Sequence, residues 1–451
     1  MNALSTRLGR HALSIFTAGV AAVEPVQAVR VHFSYDQTNG VLVAGEHSIA
    51  LDDSSRLLVV GAGKAAGPMA AAVEQVLGER LSAGVVVTKY QHHTPLRKIR
   101  LLEAGHPVPD ANGLAASREI ADLLETAGEN DVVICLLSGG GSALLPAPTE
   151  DISLQEKMAF TDLLLASGAS VDETNTVRKH LSEFKGGGLA QKAAPARLIN
   201  LILSDVVGDP LDAIASGPTV PDTSTFTDAL SILGKYQLAE KVPASILMHL
   251  QKGEAGEIPE TPKPGSPIFD HTYNVLVGNN RMAVDAAADV ARQLGYQAHI
   301  VSTTLAGEAR QVAAEHGAMA RKVITTGKPI PAPACLISAG ETTVTLTEGH
   351  GKGGRNQEFA LAAALQIEDL PGLSLLSAGT DGTDGPTDAA GAIVDGTSIR
   401  RAKAAGLNAN RYLENHDAYT FFKRLDDLLI TGPTNTNVMD LNILLIEEDS
   451  V

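Results

Sequence analysis

Apolar residues in the first half of the chain form short continuous runs, separated by stretches where apolar positions recur every three to four residues. The runs have the length of buried strands, and they lie at 57–60, 84–88, 132–137 and 198–203. The periodic stretches are typical of helices, and they lie at 65–77, 113–127, 153–166 and 176–184. Strands that alternate with helices predict a mostly parallel sheet with helices on both faces.

The alternation resumes after residues 251–270, which carry four prolines and three glycines and are typical of a linker or surface loop. The later strand-like runs are 274–277, 298–301, 335–337, 342–347, 373–377 and 441–446. The later helical stretches are 281–294, 307–325 and 356–366. The pattern predicts an α/β protein with two domains: a Rossmann-like domain at 1–255, a linker at 256–270 and a second α/β region at 271–451.

Ligands of parallel α/β sheets bind beyond the carboxyl ends of the strands, so the loops at these ends are candidate site segments. Lys64 ends the Gly61–Ala62–Gly63 turn after the first strand. The third strand is followed by Ser138, Gly139, Gly140, Gly141 and Ser142. Three glycines let backbone N–H groups approach a phosphate, although a tight turn alone would need the same residues.

Acidic residues follow three further strands. Asp205 ends the fourth strand, where an aspartate can act as a base or bind a metal, although turn and helix-cap aspartates are commoner. Glu341 ends a strand of the second half, and one later loop contains Asp381, Asp384 and Asp388. Their spacing is not that of an EF-hand and suits Mg²⁺ better than Ca²⁺, with a solvated Asp-Gly turn series as the alternative.

Basic residues stand near the glycine-rich loops. Arg178 and Lys179 lie in a helical stretch, where Asn175 and Lys179 share one face, and Arg355 follows the glycine-rich segment 349–354. Cationic donors beside such loops favour an anion pocket over an ordinary basic helix face.

Charge, length and cysteine content exclude several classes of function. The net charge of −17 argues against a nucleic-acid partner. No run of about 18 apolar residues predicts a membrane span, and residues 1–25 have amphipathic helical spacing rather than that of a signal peptide. The two cysteines lie in apolar runs, which favours buried thiols and a cytoplasmic protein.

The segment GAGKAA at 61–66 also matches the G-x-G-x-x-G/A dinucleotide fingerprint. An NAD site wants a carboxylate at the end of the second strand to bind the ribose, but Thr88 and Lys89 stand there. NADP remains open through Lys89. No Walker A loop is present, because Lys64 is followed by alanine and Lys352 by glycine.

Eight segments in order along nearly the whole chain resemble one family, the glycerate 2-kinases with a C-terminal MOFRL domain. They are GAGKAA, LLSGGGSALL, NTVRKHLSEFKGGGLA, LSDVVGDPLDAIASGPTVPD, SAGETTVTL, GKGGRNQEFAL, AGTDGTDGPTDAAGA and GPTNTNVMDLNI. Bacterial members often carry a provisional hydroxypyruvate reductase label. One departure is Gly188, where the family pattern leads us to expect a basic or polar residue.

The resemblance implies phosphorylation of D-glycerate by ATP at the 2-hydroxyl, with Mg²⁺, in a cleft between two domains, the MOFRL domain lying at about 333–446. It implies small-molecule partners only, and it is compatible with a homodimer. The alternatives are an NAD(P)H-dependent hydroxypyruvate reductase, for which His92, His93 and His106 lie near strand ends, and a ligand-binding regulator without activity.

The roles that the resemblance suggests fall into four groups. Lys64, Asp205 and Arg355 are the catalytic candidates, with Asp205 as general base. The segment 138–142 is the candidate phosphate loop. Lys64 and Arg355 also join the candidate substrate-binding residues, which further include Asn175, Arg178 and Lys179. Asp381 and Asp388 are the candidate Mg²⁺ ligands, with Glu341 in reserve.

Overall fold

The computed structural model describes residues 2–346 and 348–448, which divide into two compact units. The first unit is Pro25–Val277, and the second combines Met1–Glu24 with Gly278–Val451. This differs from the predicted boundary at 256–270, because residues 251–270 belong to the first unit and the N-terminal 24 residues to the second. The chain therefore enters the second unit, leaves it and returns.

The first unit contains nine strands within the described residues, and they are β1 Phe33–Asp36, β2 Val41–Ala44, β3 His47–Ala50, β4 Leu57–Ala62, β5 Leu81–Lys89, β6 Ile99–Ala104, β7 Val132–Leu137, β8 Arg197–Leu203 and β9 Thr272–Gly278. After α1 (Arg7–Ala22) of the second unit, its helices are α2 Pro25–His32, α3 Ala66–Leu77, α4 Ala111–Glu125, α5 Gly141–Leu144, α6 Leu154–Ala166, α7 Val171–His180, α8 Gly188–Ala193, α9 Phe226–Lys235 and α10 Ala244–Glu254. Short 3-10 helices lie at Ala3–Ser5, Gly78–Arg80, Ile214–Ser216 and Pro267–Phe269.

The main sheet of the first unit has the order β6-β5-β4-β7-β8-β9, in which the five strands from β6 to β8 pair in parallel. Strands β4 and β7 are buried at every position, as expected for parallel strands covered on both faces. After β4 the chain proceeds to one side of the sheet, and from β7 onward to the other. This reversal makes the carboxyl ends of β4 and β7 the topological switch point, where ligands bind in such sheets.

Three elements differ from the sequence-based expectation. The run at 274–277 was expected in the second domain, but it forms β9 of the first sheet. The helix expected at 176–184 is Val171–His180, because Ser170 and Glu173 form a capping box that starts it earlier. Strands β1 to β3, which form a small antiparallel sheet, were not predicted.

The second unit contains a mixed sheet with the order β10-β11-β15-β12-β13-β14. Its strands are β10 Gln297–Glu308, β11 Ala334–Thr343, β12 Leu373–Gly379, β13 Gly391–Asp395, β14 Leu428–Leu429 and β15 Asp440–Ile446. Its further helices are α11 Asn280–Gln293, α12 Ala309–Thr326, α13 Arg355–Gln366, α14 Ser398–Ala404, α15 Ala409–Glu414 and α16 Ala418–Leu425. Only β10 and β11 pair in parallel among the strands described there.

The strand expected at 342–347 ends earlier, because β11 stops at Thr343 where its pairing with β10 ends. Thr347 of that run lies outside the described residues. The N-terminal helix α1 is amphipathic as expected, and Gly19 of its buried face packs against Ala283 of α11. Cys135 and Cys335 are buried free thiols, and burial raises the pKa of Cys335 to about 12.

Across residues 2–346 and 348–448, no single helix is long and apolar enough to cross a membrane, although α1 and α2 taken together would pass on length and composition.

Candidate active site

The loops that follow β4 and β7 are bonded to each other at the switch point of the first unit. The backbone N–H of Lys64 donates to the Gly139 carbonyl at 2.9 Å, and that of Ser138 donates to the Ala62 carbonyl at 3.2 Å. The Ser138 hydroxyl accepts the N–H of Ala65 at 3.0 Å. Lys64 and the segment 138–142, two separate predictions, therefore belong to one structural feature.

Two glycines of these loops are required by close approach. Gly63 has φ +147°, and a Cβ there would stand 2.0 Å from the Ser138 hydroxyl oxygen. A Cβ on Gly139 would stand 2.0 Å from Oδ2 of Asp205. Both distances are far below van der Waals contact, so a larger residue would push the loops apart. The absence of side chains thus seats the Asp205 carboxylate directly against the candidate phosphate loop.

His106 lies on the other side of this loop. Its Nε2 lies 2.8 Å from the place where a Cβ on Gly140 would stand. Burial, and then the charges of Lys64 and Lys89, lower the pKa of His106 to about 4. The imidazole is therefore neutral at pH 7 and adds no charge to the lysines around it.

Ser142, at the end of the loop, is the meeting point of two cationic side chains. Nη2 of Arg178 donates to its hydroxyl at 2.6 Å, and Nζ of Lys185 donates to its hydroxyl and its carbonyl, both at 2.9 Å. Ser216 links the same hydroxyl to Oδ1 of Asn175, through contacts of 3.1 Å each. The structure thus joins Arg178 and Asn175 to the loop.

Lys185 is a residue that sequence reasoning missed. It stands directly before the glycines 186–188, and its side chain is almost fully buried at 2% exposure. A lysine preceding a glycine run was the available signal, but its burial could not be read from the pattern.

Lys179 points to a different environment from its neighbour Arg178. It is buried, and its Nζ lies 3.4 Å from Oδ1 of Asp222 and 3.8 Å from Oδ2 of Asp212. Although burial opposes it, the charge of Lys179 lowers the pKa of Asp222. This ion pair favours a role in shaping the unit, and substrate binding by Lys179 stays a prediction.

Arg355 begins α13 of the second unit and is held by two carboxylates. Its Nε and Nη2 donate to the two oxygens of Asp440 at 2.6 and 3.0 Å, and its Nη1 donates to Glu341 at 2.6 Å. Burial disfavours the charged guanidinium, but the hydrogen bond and charge of Asp440 raise the pKa of Arg355 above its ordinary value. Asp440 itself is 2% exposed, and no sequence pattern singled it out.

Asp384 is the most buried aspartate of its loop. Its carboxylate accepts the N–H of Asn356 at 3.1 Å, the N–H of Gln357 at 2.8 Å and the side-chain amide of Gln357 at 2.9 Å. Burial raises its pKa to about 6 despite these donors. Asp384 therefore caps the N-terminus of α13, the helix that carries Arg355.

The candidate Mg²⁺ ligands each accept a local hydrogen bond. Asp381 accepts the N–H and hydroxyl of Thr383 at 3.0 and 3.1 Å, and Asp388 accepts the Tyr419 hydroxyl at 2.7 Å. Glu341, the reserve candidate, is the partner of Arg355 described above. Within residues 2–346 and 348–448, no group of three His, Cys, Asp or Glu side chains could hold a metal ion. Mg²⁺ needs only one or two protein carboxylates, so the assignment of Asp381 and Asp388 stays a prediction.

Comparison with known proteins identifies the family. A family model described as a domain of unknown function, DUF4147, matches residues 11–251, and the MOFRL family model matches 334–440. A Pyrococcus horikoshii protein named glycerate 2-kinase is 43% identical and covers 96% of each chain. An Agrobacterium vitis protein with a provisional hydroxypyruvate reductase name is 42% identical over 96% of this chain and 93% of its own.

A crystal structure of glycerate kinase from Thermotoga maritima has a TM-score of 0.87 at 43% identity, over 97% of this chain and 99% of that chain. The agreement confirms the α/β fold with one parallel sheet and one mixed sheet. The resemblance carried by the eight sequence segments is confirmed as well. The chain belongs to the glycerate kinase family, in which a DUF4147 domain is followed by a MOFRL domain.

Proposed function

We propose that this protein phosphorylates D-glycerate at its 2-hydroxyl with ATP, giving 2-phosphoglycerate and ADP. Glycerate kinase activity is the function that the named relatives support. The observation that carries the proposal is the hydrogen bond from the backbone N–H of Lys64 to Gly139 of a glycine-rich loop at the switch point of a parallel sheet. A cation beside such a loop suits the transfer of a phosphoryl group.

Phosphoryl transfer depends on positioning and charge stabilisation more than on covalent chemistry. In the proposed reaction the 2-hydroxyl oxygen forms a bond to the γ-phosphorus, the bond from that phosphorus to the bridging oxygen breaks, and ADP leaves. Asp205, seated against Gly139, accepts the hydroxyl proton. Lys64 stabilises charge on the transferred group, and the segment 138–142 contacts phosphate oxygens through its backbone.

Two further assignments belong to this proposal. Arg355 stays a candidate catalytic cation, and Glu341 and Asp440 fix the orientation of its guanidinium. Mg²⁺ would be held by the ATP phosphates together with one or two protein carboxylates, for which Asp381 and Asp388 are the candidates, with Glu341 in reserve.

The test is mass analysis of the product formed from ATP and D-glycerate, with 2- and 3-phosphoglycerate resolved. We expect 2-phosphoglycerate and stoichiometric ADP. Lys64→Ala should lower kcat by roughly 10²- to 10³-fold, the range seen when one preorganised charge-stabilising donor is removed. The exposed Lys241 provides the control, because Lys241→Ala removes an equal charge away from the loop.

A reductase would instead consume NADH with hydroxypyruvate. That result, or full turnover by Lys64→Ala, would contradict the proposal.

A further inference from the structure

A cavity of about 420 Å³ borders the loop 138–142 inside the first unit. Gly140 and Ser142 line it, and three cationic side chains, Lys157, Arg178 and Lys185, stand at the same end. Two of these, Lys157 and Arg178, come from the adjacent helices α6 and α7. The cavity thus extends from the candidate phosphate loop into the space beneath these helices.

The three cations have neutral partners. Lys157 donates to the carbonyls of Pro146 and Leu181 at 2.6 and 2.9 Å, whereas Arg178 and Lys185 donate to Ser142. None of the three lies within 4.0 Å of a carboxylate oxygen of residues 2–346 or 348–448.

A carboxylate in the neighbourhood, Glu183, forms an ion pair with Lys192 at 3.0 Å. The three cations therefore form no ion pair with the described residues, and Asp162 is the carboxylate that lines the same cavity.

Burying several like charges without a counter-ion is unfavourable, so such an arrangement is typical of a place that receives an anion. Lys157 and Lys185 are 6% and 2% exposed. Burial, and then the nearby charges of Arg178 and Lys157, hold the pKa of Lys185 well below its ordinary value. An anion bound there would offset the burial of these charges and their mutual repulsion.

Apolar side chains also line the cavity. They include Met158 and Leu165 of α6 and Val108, alongside the polar Thr161 and Asp162. Val108 and Leu165 are large apolar side chains, yet they are 61% and 59% exposed. Uncovered apolar side chains at the mouth of a cavity favour an occupant with a flat apolar part.

We propose that this cavity binds the nucleotide, with its phosphates at Lys157, Arg178 and Lys185 and its base against Met158 and Leu165. The inference rests on the proposed kinase function for the ligand class, and it adds binding residues that the kinase proposal did not contain. A small, wholly polar substrate such as glycerate would leave the apolar side chains without a contact. A ligand with an anionic part and an apolar part matches both kinds of lining residue.

The experiment measures the Kd of ADP by calorimetry, and the KM of ATP and of D-glycerate, for three variants. Lys185→Met keeps the side-chain length but removes the charged hydrogen bond from Lys185 to a phosphate of the nucleotide. We therefore expect ADP to bind about 10- to 100-fold more weakly. Leu165→Asp places a charge at the exposed apolar mouth and should weaken ADP binding without endangering the fold. Lys241→Met, an exposed lysine outside the cavity, is the matched control and should leave all three constants unchanged.

The outcomes separate this inference from the kinase proposal. Unchanged ADP binding in Lys185→Met and Leu165→Asp would overturn the nucleotide assignment while leaving kinase activity established. A raised KM for D-glycerate with an unchanged Kd for ADP would overturn it as well, and would assign the cations to the substrate carboxylate.

Inorganic phosphate that competes as strongly as ADP, with an unchanged Kd for ADP in Leu165→Asp, would overturn the nucleotide assignment in favour of a simple phosphate site. If the variants bind ADP more weakly while the unmodified protein forms no phosphoglycerate, the result would support this cavity and contradict the proposed reaction.

Discussion

A pair of cationic side chains beside Ser142 in the first unit and Arg355 in the second unit have opposite kinds of partner. In the first unit, Arg178 and Lys185 converge on one serine and donate to its neutral oxygen atoms. In the second unit, Arg355 is held by both oxygens of Asp440 and by Glu341. Arg401, on α14, is likewise paired with the buried Asp427 at 2.7 Å.

The difference indicates which charged side chains stabilise the fold through ion pairs and which would gain a charged partner when a ligand binds. A guanidinium with buried carboxylate partners is part of the structure, because removing it leaves an unpaired charge inside the protein. A buried lysine that donates only to carbonyl and hydroxyl oxygens gains stability when an anion arrives. Substitutions in the two units should therefore separate stability from binding.

The largest effect on stability is expected from Arg355→Ala. It leaves Asp440, 2% exposed, without its bidentate partner, and breaking such a pair typically costs about 3–5 kcal/mol in free energy of unfolding. Urea denaturation followed by circular dichroism measures this loss.

Arg292→Ala is the matched control for Arg355→Ala, since Arg292 pairs with Asp289 at the surface, where such a pair is worth about 0–1 kcal/mol. Equal losses in the two variants would show that the pair of Arg355 with buried Asp440 contributes no more to stability than a surface pair. An Arg355→Ala protein that loses activity but no stability would show that Arg355 acts on a ligand and does not stabilise the fold.

A smaller effect is expected from Gly139→Ala. The added Cβ would stand 2.0 Å from Oδ2 of Asp205, so the loop or the carboxylate must move, at a cost of about 1–3 kcal/mol for overpacking. Because Asp205 is the proposed base, kcat should fall with stability.

Gly234 offers the control for this substitution. It lies within α9, and a Cβ there meets nothing within 4 Å. Gly234→Ala should stabilise the protein by about 0.5–1 kcal/mol through helix propensity. If Gly139→Ala were as harmless as Gly234→Ala, Asp205 would not be seated against the loop in solution.

The strands and their terminal loops could be predicted from the sequence because these signals are local. The run at 132–137 coincides with β7, and the loops after β4 and β7 contain Lys64 and Gly139 as expected. The capping box of Ser170 and Glu173 was also readable, but it was outweighed by apolar spacing further along. Local patterns of this kind define elements more reliably than they define the pairing of those elements.

What the sequence could not predict are partners separated by long stretches of chain. Arg355 and Asp440 are 85 residues apart, and nothing in their neighbourhoods marks them as a pair. The spacing of the aspartates likewise does not reveal that Asp388 accepts a hydrogen bond from Tyr419. Lys185 was overlooked for the same reason, since a lysine becomes informative only when its burial and its neutral partners are known.

The smallest predicted effect concerns the pH dependence of His106, which reports on burial and on the charge of Lys64. Burial, then Lys64 and Lys89, lower its pKa to about 4 from the usual value of 6.5. A histidine with a lowered folded pKa contributes stability that is fully present above about pH 6.5 and is lost as pH falls through about 4. Since the ring is only partly buried, we expect His106→Gln to reduce the loss of free energy of unfolding at acid pH by about 1 kcal/mol.

The His106 ring protons, followed by NMR, should titrate near pH 4 in the unmodified protein and closer to 6.5 in Lys64→Met, because one repelling charge is gone. A His106 that titrates near 6.5 in the unmodified protein would contradict its burial beside Lys64 and Lys89, and an unchanged value in Lys64→Met would show that the charge of Lys64 does not act on this ring.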